Sequence, residues 1–247
     1  MHVFQVLITD EPLAIKALPA PVQAAMQTVK DCFPSCEHQL WQRPELEQFI
    51  AHNFDAVVLG VFNGLRPYAY QADLARYCLL YVHGGWYVDL SLKMLVAVDV
   101  ADHIDMIVFA DRGCPSCEPW AIQNGLIYTK PGNPLFLRVI RRICVHFARR
   151  YYGTSALCPT GPNCFGREFA ADDTEYRVIK GLFMPVTPTL SFQNLMYVAQ
   201  TGQLIARHRT SWLPGSGGGD LSCLQLSGVN NYQQIWADRC VYGETDS

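Results

Sequence analysis

The stretch that decides the fold runs from Tyr70 to Leu95 and reads YQADLARYCLLYVHGGWYVDLSLKML. Its first part belongs to a helix predicted over Pro67–His83, because that segment begins with proline, has no internal breaker and stops at a glycine pair. An apolar strand is predicted over Trp86–Leu92, directly after the pair. The chain therefore passes from a helix through a tight turn into a buried strand, and both elements carry charged residues.

The predicted helix carries an acid and a base on one side. Asp73 and Arg76 are three positions apart, so their side chains project from the same face. A solvated pair of this kind is a surface ion pair worth about 0.3–0.5 kcal/mol. The neighbours Tyr77, Leu80 and Tyr81 favour a partly buried pair instead. Such a pair facing a cavity suits sugar hydroxyls, since the carboxylate accepts hydrogen bonds and the guanidinium donates a rigid fork.

The turn and the strand that follow add a second chemical feature. Gly84–Gly85 stops the helix and also permits a close approach to the backbone. The strand then carries Asp89 to its carboxyl end, where ligands bind in open α/β sheets. Ser91, two residues later, projects to the same side. Hard oxygen ligands in this arrangement suit Mg²⁺ or Mn²⁺ bridged to a diphosphate.

Strands alternate with helices along the rest of the chain, which favours a mixed α/β sandwich with a largely parallel sheet. Phe54–Phe62 is apolar throughout and fits either a strand or a helix. The other predicted strands are Val3–Ile8, Gln39–Trp41, Met106–Ala110, Asn124–Thr129, Arg177–Phe183 and Leu204–His208. The other predicted helices are Pro21–Lys30, Pro44–His52, Pro134–Tyr151 and Asn163–Ala170.

Composition excludes several classes of protein. Half of the 247 residues are hydrophobic and 17% are charged, so a large buried core is expected and general disorder is not. The formal net charge of -3 argues against a nucleic-acid partner, which usually requires a basic surface. The N-terminus lacks the basic segment of a signal peptide, and no apolar run is long enough to span a membrane. A cytoplasmic protein is therefore expected.

Three further segments have two interpretations each. The CxxC at Cys114–Cys117, among ten cysteines, lacks a second close pair for zinc, so scattered buried thiols are favoured. The glycine run Gly215–Gly219 fits a lid over a ligand or a solvated loop. The basic helix segment Arg138–Arg150 fits a solvated face, or a peripheral contact with the anionic inner face of a membrane that reaches a lipid-linked acceptor.

The pattern A-D-L-A-R-Y-x-x-L-Y-x-x-G-G-x-Y-x-D, from Ala72 to Asp89, resembles the DXD-type sugar transferases. That family includes yeast initiating α-1,6-mannosyltransferases, bacterial capsule and lipopolysaccharide sugar transferases and, more distantly, the large clostridial glucosylating toxins. Later segments are also similar to it. They are Asn124–Ile127 with Pro131–Pro134, Thr160–Pro162, and His208 with Ser211–Trp212.

The resemblance implies a GT-A fold in a single domain over residues 1–247. Residues 1–130 would bind the donor, and residues 131–247 would complete the acceptor side. It implies a retaining transfer of a hexose from a UDP- or GDP-linked sugar to a glycan, lipid-linked or protein acceptor, assisted by Mn²⁺ or Mg²⁺, in glycan or surface polysaccharide synthesis.

The resemblance also assigns roles to individual residues. The implied catalytic residues are Asp73, Arg76, Asp89 and Asn124. The implied donor-binding residues are Asp73, Arg76, Gly84, Gly85, Tyr87, Asp89 and Trp212. The implied metal ligands are Asp89, Ser91 and His208.

One departure from the family pattern concerns Ser91, which stands where the family has the second acid of its D-x-D. Serine coordinates a divalent ion only weakly or through water. Three hypotheses follow. The affinity for the metal ion is low, or Asp89 and His208 suffice together with the diphosphate of the donor, or the chain is a catalytically silent relative that binds nucleotide-sugars.

Overall fold

A nine-stranded sheet with flanking helices organises the parts of the chain that the computed structural model describes, residues 1–113, 117–187, 194–213 and 220–243. The strands are β1 (His2–Val6), β2 (Glu37–Trp41), β3 (Gly85–Val88), β4 (Leu92–Met94), β5 (Met106–Asp111), β6 (Ile122–Thr129), β7 (Val178–Pro185), β8 (Leu195–Val198) and β9 (Leu204–His208). The α-helices are α1 (Ala20–Cys32), α2 (Arg43–Asn53), α3 (Ala56–Gly64), α4 (Tyr68–His83), α5 (Pro134–Ala148), α6 (Pro162–Ala170) and α7 (Tyr232–Ala237).

The strand order in the sheet is β2-β1-β3-β6-β5-β7-β8-β9-β4. The pairs β1–β2, β1–β3 and β5–β7 are parallel, and the five other neighbouring pairs of this sheet are antiparallel. The expected mixed α/β architecture is confirmed, although parallel pairing is confined to strands joined through helical crossovers. The antiparallel strand β6 separates the two parallel groups.

The most important change from the sequence interpretation concerns the predicted strand Trp86–Leu92. The strand β3 ends at Val88, and residues 89–91 form a turn. The Asp89 carboxylate causes this break, because its Oδ1 accepts a hydrogen bond from the Ser91 backbone N–H at 2.9 Å and so competes with further pairing. Leu92 then begins β4, which pairs with β9 at the far edge of the sheet.

Helix α3 settles the ambiguous segment Phe54–Phe62. Asp55 precedes the helix and its side chain accepts a hydrogen bond from the Val58 N–H, which stabilises the first turn. The elements β8 and α7 are absent from the sequence prediction. They have four and six residues, too few for hydrophobic periodicity to identify them.

Helix α4 packs against the sheet on one side and against α5 on the other, and its residues Tyr70, Leu74 and Tyr77 are buried in the largest hydrophobic cluster. The alternation of side chains along β3 places Tyr87 in this same cluster, whereas Trp86 lies in the cluster on the opposite face. The helix and the side of the sheet that carries Tyr87 are thereby held together, and the charged residues of α4 face the end of β3.

The basic residues of α5 are largely engaged within the protein. Arg138 lies 2.5 Å from Asp172, and Arg142 lies 2.7 Å from Glu168. Arg150, just beyond the helix, donates to a backbone carbonyl at 2.9 Å. These contacts favour the interpretation of the basic helix as an ordinary protein surface. Its contact with a membrane stays a prediction. No helix of the described residues has the length and apolar character required to cross a bilayer.

The cysteine and glycine predictions fall partly outside the described residues. All nine described cysteines are free thiols, and three of them are buried. Cys114 of the CxxC and the run Gly215–Gly219 lie outside the described ranges, so the alternatives given for these two segments stay predictions.

Candidate active site

A cavity of about 800 Å³ lies beside α4, at the carboxyl ends of β1 and β3. This is the position at which open α/β sheets bind ligands. Val6 and Ile8 line it from β1 and the residues just after it. The structure brings six of the predicted site residues into its wall. They are Asp73, Arg76, Asp89, Ser91, Asn124 and His208.

Asp73 is a buried acid of the cavity wall, with 7% of its surface exposed. Its Oδ1 accepts a hydrogen bond from Asn124 Nδ2 at 2.8 Å, and its Oδ2 accepts one from the Thr160 hydroxyl at 2.7 Å. Burial raises the pKa of Asp73 above its ordinary value, although Arg76 and these two donors act in the opposite direction. A carboxylate with this many donors is held in one orientation toward the cavity.

Arg76 links Asp73 on α4 to Asp89 at the end of β3. Its guanidinium lies 3.1 Å from Asp73 Oδ1 and 3.8 Å from Asp89 Oδ2, and it donates to the Asn124 carbonyl at 2.7 Å. The guanidinium also lies 4.4 Å from the centre of the Tyr87 ring. Burial lowers the pKa of Arg76, but Tyr87 and the two acids outweigh it and raise the pKa, so the group is a fixed positive charge.

Asn124 is placed by β6, the antiparallel neighbour of β3. Its side-chain amide donates hydrogen bonds to Asp73 and, at 3.1 Å, to the Tyr77 hydroxyl. Its backbone carbonyl oxygen accepts a hydrogen bond from Arg76. The residue therefore positions both charged groups of α4 at once.

Asp89 and His208 are adjacent in space because β4 and β9 pair antiparallel with Leu92 opposite His208. Burial on its own raises the pKa of Asp89, but Arg76 and the hydrogen bonds from Ser91 outweigh it and lower the pKa. Burial and the positive charge of Arg209 lower the pKa of His208 to about 3. An ionised carboxylate and a neutral imidazole are the forms that bind a metal ion.

The described residues fit a divalent ion only as a partial ligand set. No group of three or more His, Cys, Asp or Glu side chains among them is arranged to hold a metal. The ring hydrogen bonds described for His208 involve Nδ1, which lies 3.0 Å from the Thr210 hydroxyl. If a divalent ion binds here, Asp89 would be the one strong ligand, with His208 and the Ser91 hydroxyl as weaker ones, so the donor and water would have to complete the shell.

The glycine pair does not lie in the cavity wall, and its role in donor binding stays a prediction. Gly84 and Gly85 stand at the opposite end of β3 from Asp89. A Cβ atom on Gly84 would lie 2.4 Å from the Pro131 nitrogen, and one on Gly85 would lie 2.5 Å from the His2 carbonyl oxygen. Glycine is required here because the backbone of other segments occupies the side-chain space.

Two other residues predicted to contact the donor, Tyr87 and Trp212, do not line the cavity. Tyr87 is fully buried, and its hydroxyl donates to Asp89 Oδ2 at 3.3 Å, so it supports the carboxylate from behind. Trp212 does not line the cavity, and its ring lies 4.1 Å from the Lys93 ammonium group. Its buried Nε1 has no hydrogen-bond partner among the described residues. Contact of either residue with a donor stays a prediction.

Several residues in the cavity wall or directly behind it had no role in the sequence interpretation. Thr160 belongs to the segment Thr160–Pro162, whose resemblance to the family was the only signal for it. Arg209 follows His208 and is buried in the wall. Tyr232 and Trp236 of α7 close the cavity on the side of α4, where Tyr232 stacks near Tyr70 with ring centres 6.0 Å apart.

Comparison with known proteins identifies the region that carries this geometry. Residues 19–105 match the family described as "Glycosyltransferase sugar-binding region containing DXD motif". The matched region contains Asp73, Arg76, Asp89 and Ser91, so the predicted resemblance to this family is confirmed over these residues.

Individual relatives are distant and longer. An uncharacterized glycosyltransferase of Acanthamoeba polyphaga mimivirus is 25% identical over 52% of this chain and 49% of its own length. Inositol phosphoceramide mannosyltransferase 3 of Schizosaccharomyces pombe is 27% identical over 59% of this chain and 39% of its own length. The chain thus spans about half the length of these relatives, or less. Among solved structures, a glycosyltransferase named PaToxG shares 14% identity over 69% of this chain and 67% of its own, with a TM-score of 0.48.

Proposed function

We propose that this protein binds a nucleotide-sugar in the cavity and transfers its hexose to an acceptor hydroxyl with retention of configuration. The observation that carries the proposal is the buried pair Asp73 and Arg76 in the cavity wall, with Arg76 3.8 Å from the Asp89 carboxylate. A surface ion pair would not need the further donors from Asn124 and Thr160 that fix this one.

Asp73 is arranged to accept a hydrogen bond from a sugar hydroxyl. A carboxylate offers about four acceptor positions. Asn124 and Arg76 approach Oδ1, whereas Thr160 is the side chain described at Oδ2. Oδ2 thus retains capacity to accept a further hydrogen bond. The position of that hydroxyl would orient the anomeric carbon toward the acceptor.

The metal ion that the family resemblance implies, Mn²⁺ or Mg²⁺, would be held by Asp89 and His208 with Ser91 beside them. When bound, such an ion offsets the negative charge that develops on the departing diphosphate. Arg76 holds the Asp89 carboxylate in its ionised state, and Asn124 fixes Arg76. These side chains therefore prepare the site before any ligand binds.

The acceptor is proposed as a glycan, lipid-linked or protein hydroxyl. The fission yeast relatives are named inositol phosphoceramide mannosyltransferases. A GDP-linked mannose donor with an inositol-containing lipid is therefore the first pair to assay, followed by UDP-linked hexoses and simple glycans.

The direct test is binding and slow hydrolysis of a panel of UDP- and GDP-sugars with Mn²⁺, measured for the native protein and for Asp89→Ala. The variant should lose metal-dependent nucleotide binding and turnover, because it removes the ionised ligand at the end of β3. The exposed Asp102→Ala is a matched control that should retain both. Unchanged hydrolysis by Asp89→Ala would contradict the assignment.

A second candidate, a catalytically silent nucleotide-sugar-binding protein, is favoured by one observation, the serine at position 91. Hydrolysis without acceptor separates the two, since an enzyme cleaves some donor and a binding protein cleaves none. If Ser91 limits metal affinity, Ser91→Asp should reach half-maximal hydrolysis at a lower Mn²⁺ concentration than the native protein.

A further inference from the structure

Two residues of the cavity wall that the proposed function does not use, Gln123 and Tyr197, come close to each other at Gly125. A Cβ atom on Gly125 would lie 2.6 Å from the Tyr197 hydroxyl oxygen and 3.7 Å from Gln123 Oε1. The same atom would lie 3.5 Å from the Cβ atom of Asp89. The three side chains therefore border one small space beside the bare Cα atom of Gly125.

The carboxamide of Gln123 is held in one orientation. Its Oε1 accepts hydrogen bonds from the backbone N–H groups of Asn124, at 2.8 Å, and Gly125, at 3.2 Å. Its Nε2 donates to Asp111 Oδ2 over the long distance of 3.4 Å. An amide nitrogen has two hydrogens, and no hydrogen bond within the described ranges uses the second one. Gln123 therefore brings a fixed and unused N–H donor to the cavity.

Tyr197 adds a hydroxyl group to the same space. The residue is 1% exposed, and its ring packs against Phe109 and Phe183, with ring centres 5.1 Å and 4.8 Å apart. In the part of the chain that the structure describes, its hydroxyl takes part in no hydrogen bond. A buried hydroxyl without a partner costs about 1–3 kcal/mol, so this position favours a ligand that can form the missing bond.

The pair approaches the cavity from the sheet face opposite α4. Gln123 stands across from Phe109 in the pairing of β5 with β6, and Phe109 and Tyr197 share the hydrophobic cluster of that face. Asp73 instead projects from α4, on the other face. A hexose held by Asp73 would thus leave Gln123 and Tyr197 for a second ligand.

We propose that Gln123 and Tyr197 bind the acceptor through its hydroxyl groups, and that the acceptor is an uncharged sugar or inositol ring. The inference rests on the proposed function, since it names the partner of the nucleotide-sugar in the same cavity. Neighbouring hydroxyls of such a ring can accept from Gln123 Nε2 and pair with the Tyr197 hydroxyl at once. The carboxylate of Asp111, beside the Gln123 amide, disfavours an anionic group here.

The place of this subsite also suits transfer with retention. Attack from the side of the leaving group requires the acceptor hydroxyl to lie next to the departing diphosphate. The space beside Gly125 adjoins Asp89, where the proposed function places that diphosphate with its metal ion. An acceptor held by Gln123 and Tyr197 would therefore lie close to the reacting carbon atom.

The test measures transfer to methyl α-mannoside and to myo-inositol, with Mn²⁺ and the nucleotide-sugar that the native protein hydrolyses fastest. Tyr197→Phe removes only the hydroxyl group. Gln123→Glu keeps an oxygen for the two backbone N–H groups and replaces Nε2 by a second oxygen. Each variant should raise the KM of the acceptor about three- to tenfold relative to the KM of the donor, the effect of one hydrogen bond. Each should also lower the fraction of cleaved donor that is transferred and not lost to water.

Two further variants serve as controls. Tyr128→Phe removes a hydroxyl from the same strand as Gln123 but outside the cavity, where the Tyr128 ring lies 5.3 Å from that of Trp86. It should change neither KM. Gln123→Met removes Nε2 and the oxygen together and should lose at least as much transfer as Gln123→Glu.

Four outcomes would count against the subsite, and one of them against more than the subsite. A native transfer fraction in Gln123→Glu, with a loss only in Gln123→Met, would show that Gln123 serves the backbone alone. Equal increases in the KM of donor and acceptor in Tyr197→Phe would show that Tyr197 supports the whole cavity. Donor cleavage by the native protein without transfer to either ring would overturn the acceptor class. Absence of any nucleotide-sugar cleavage by the native protein would contradict the proposed function itself.

Discussion

At the scale of single residues, Thr160 offers the cleanest perturbation of Asp73 and Arg76, the pair proposed to bind the sugar. Its hydroxyl donates to Asp73 Oδ2 at 2.7 Å, and both residues are buried. Thr160→Val keeps the shape of the side chain and leaves the carboxylate oxygen without this donor. We expect a loss of about 1–3 kcal/mol in the free energy of unfolding and, since Asp73 loses its orientation, a KM for the nucleotide-sugar raised about tenfold. The inhibition constant of the free nucleoside diphosphate should stay unchanged, because that ligand lacks the sugar.

Thr129→Val is the matched control for this prediction. Thr129 is fully buried away from the cavity and accepts a hydrogen bond from Asn133 at 3.0 Å. Thr129→Val should lower the free energy of unfolding. It should not change the ratio of the KM for the nucleotide-sugar to the inhibition constant of the nucleoside diphosphate. An equal change in KM and in the inhibition constant for Thr160→Val would show that Thr160 supports the whole cavity and not the sugar contact.

The residue scale also shows what the sequence can and cannot reveal about the site. Asp73 and Arg76 are recognisable because helical spacing alone puts them on one face. Thr160 contacts Asp73 across 87 positions of sequence, and no local pattern reports such a contact. The pairing of β4 with β9 sets Leu92 opposite His208, and the prediction of one continuous strand over Trp86–Leu92 did not reveal it.

At the scale of elements, a variant in the turn between α4 and β3 can test whether the glycine pair is required for the fold or for contact with a ligand. Gly84 has φ +63° and ψ -165°, a conformation open essentially to glycine alone, and an added Cβ would meet the Pro131 nitrogen at 2.4 Å. Gly84→Ala should therefore cost about 3 kcal/mol or more of stability. Gly132 also has a positive φ, of +71°, but an added Cβ would meet nothing within 4 Å. Gly132→Ala should cost only about 1 kcal/mol.

Chemical denaturation of the two alanine variants measures this difference. Both should keep the nucleotide affinity of the native protein under conditions in which they are folded. A stable Gly84→Ala variant that failed to bind nucleotide would restore the sequence-based prediction of a donor contact at the glycine pair.

The ion pair between Arg138 of α5 and Asp172, just after α6, should make a pH-dependent contribution to the free energy of unfolding. Burial raises the pKa of Asp172, but the hydrogen bonds from Arg138 and Thr174 outweigh it and lower the pKa to about 2. Because the folded pKa lies below the unfolded value, the stabilisation is present above about pH 4 and is lost as the pH falls toward 2. Arg138 is 35% exposed, so solvent screening reduces the effect to about 1–2 kcal/mol at pH 7.

Thermal unfolding of Asp172→Asn from pH 7 to pH 2 checks this expectation. The variant should melt below the native protein at neutral pH, and the two melting temperatures should converge as the native carboxylate is protonated. The exposed neighbour Asp173→Asn serves as the control. A difference that stayed constant over this range would show that Asp172 acts through packing and not through its charge.

At the scale of the whole molecule, the sheet joins the two halves of the chain that the sequence interpretation assigned to donor and acceptor. The strand β4, from the first half, lies at the edge of the sheet beside β9, from the second half. The parallel pair β5–β7 joins the halves a second time. The helix–strand alternation predicted the α/β class, but it did not predict this interleaving, because strand order depends on contacts between distant segments.

The interleaving predicts that residues 1–247 unfold as one cooperative unit. Calorimetry should give a single transition, with equal calorimetric and van't Hoff enthalpies. The cavity wall combines Asp73 of α4 with His208 and with Tyr232 of α7, so a nucleotide-sugar bound there should stabilise both halves. At a ligand concentration of about 100 times Kd, the gain is about 2.7 kcal/mol, and the whole transition should move to higher temperature. Two transitions, of which the ligand moved only one, would instead show that donor binding belongs to a separately folding part of the chain.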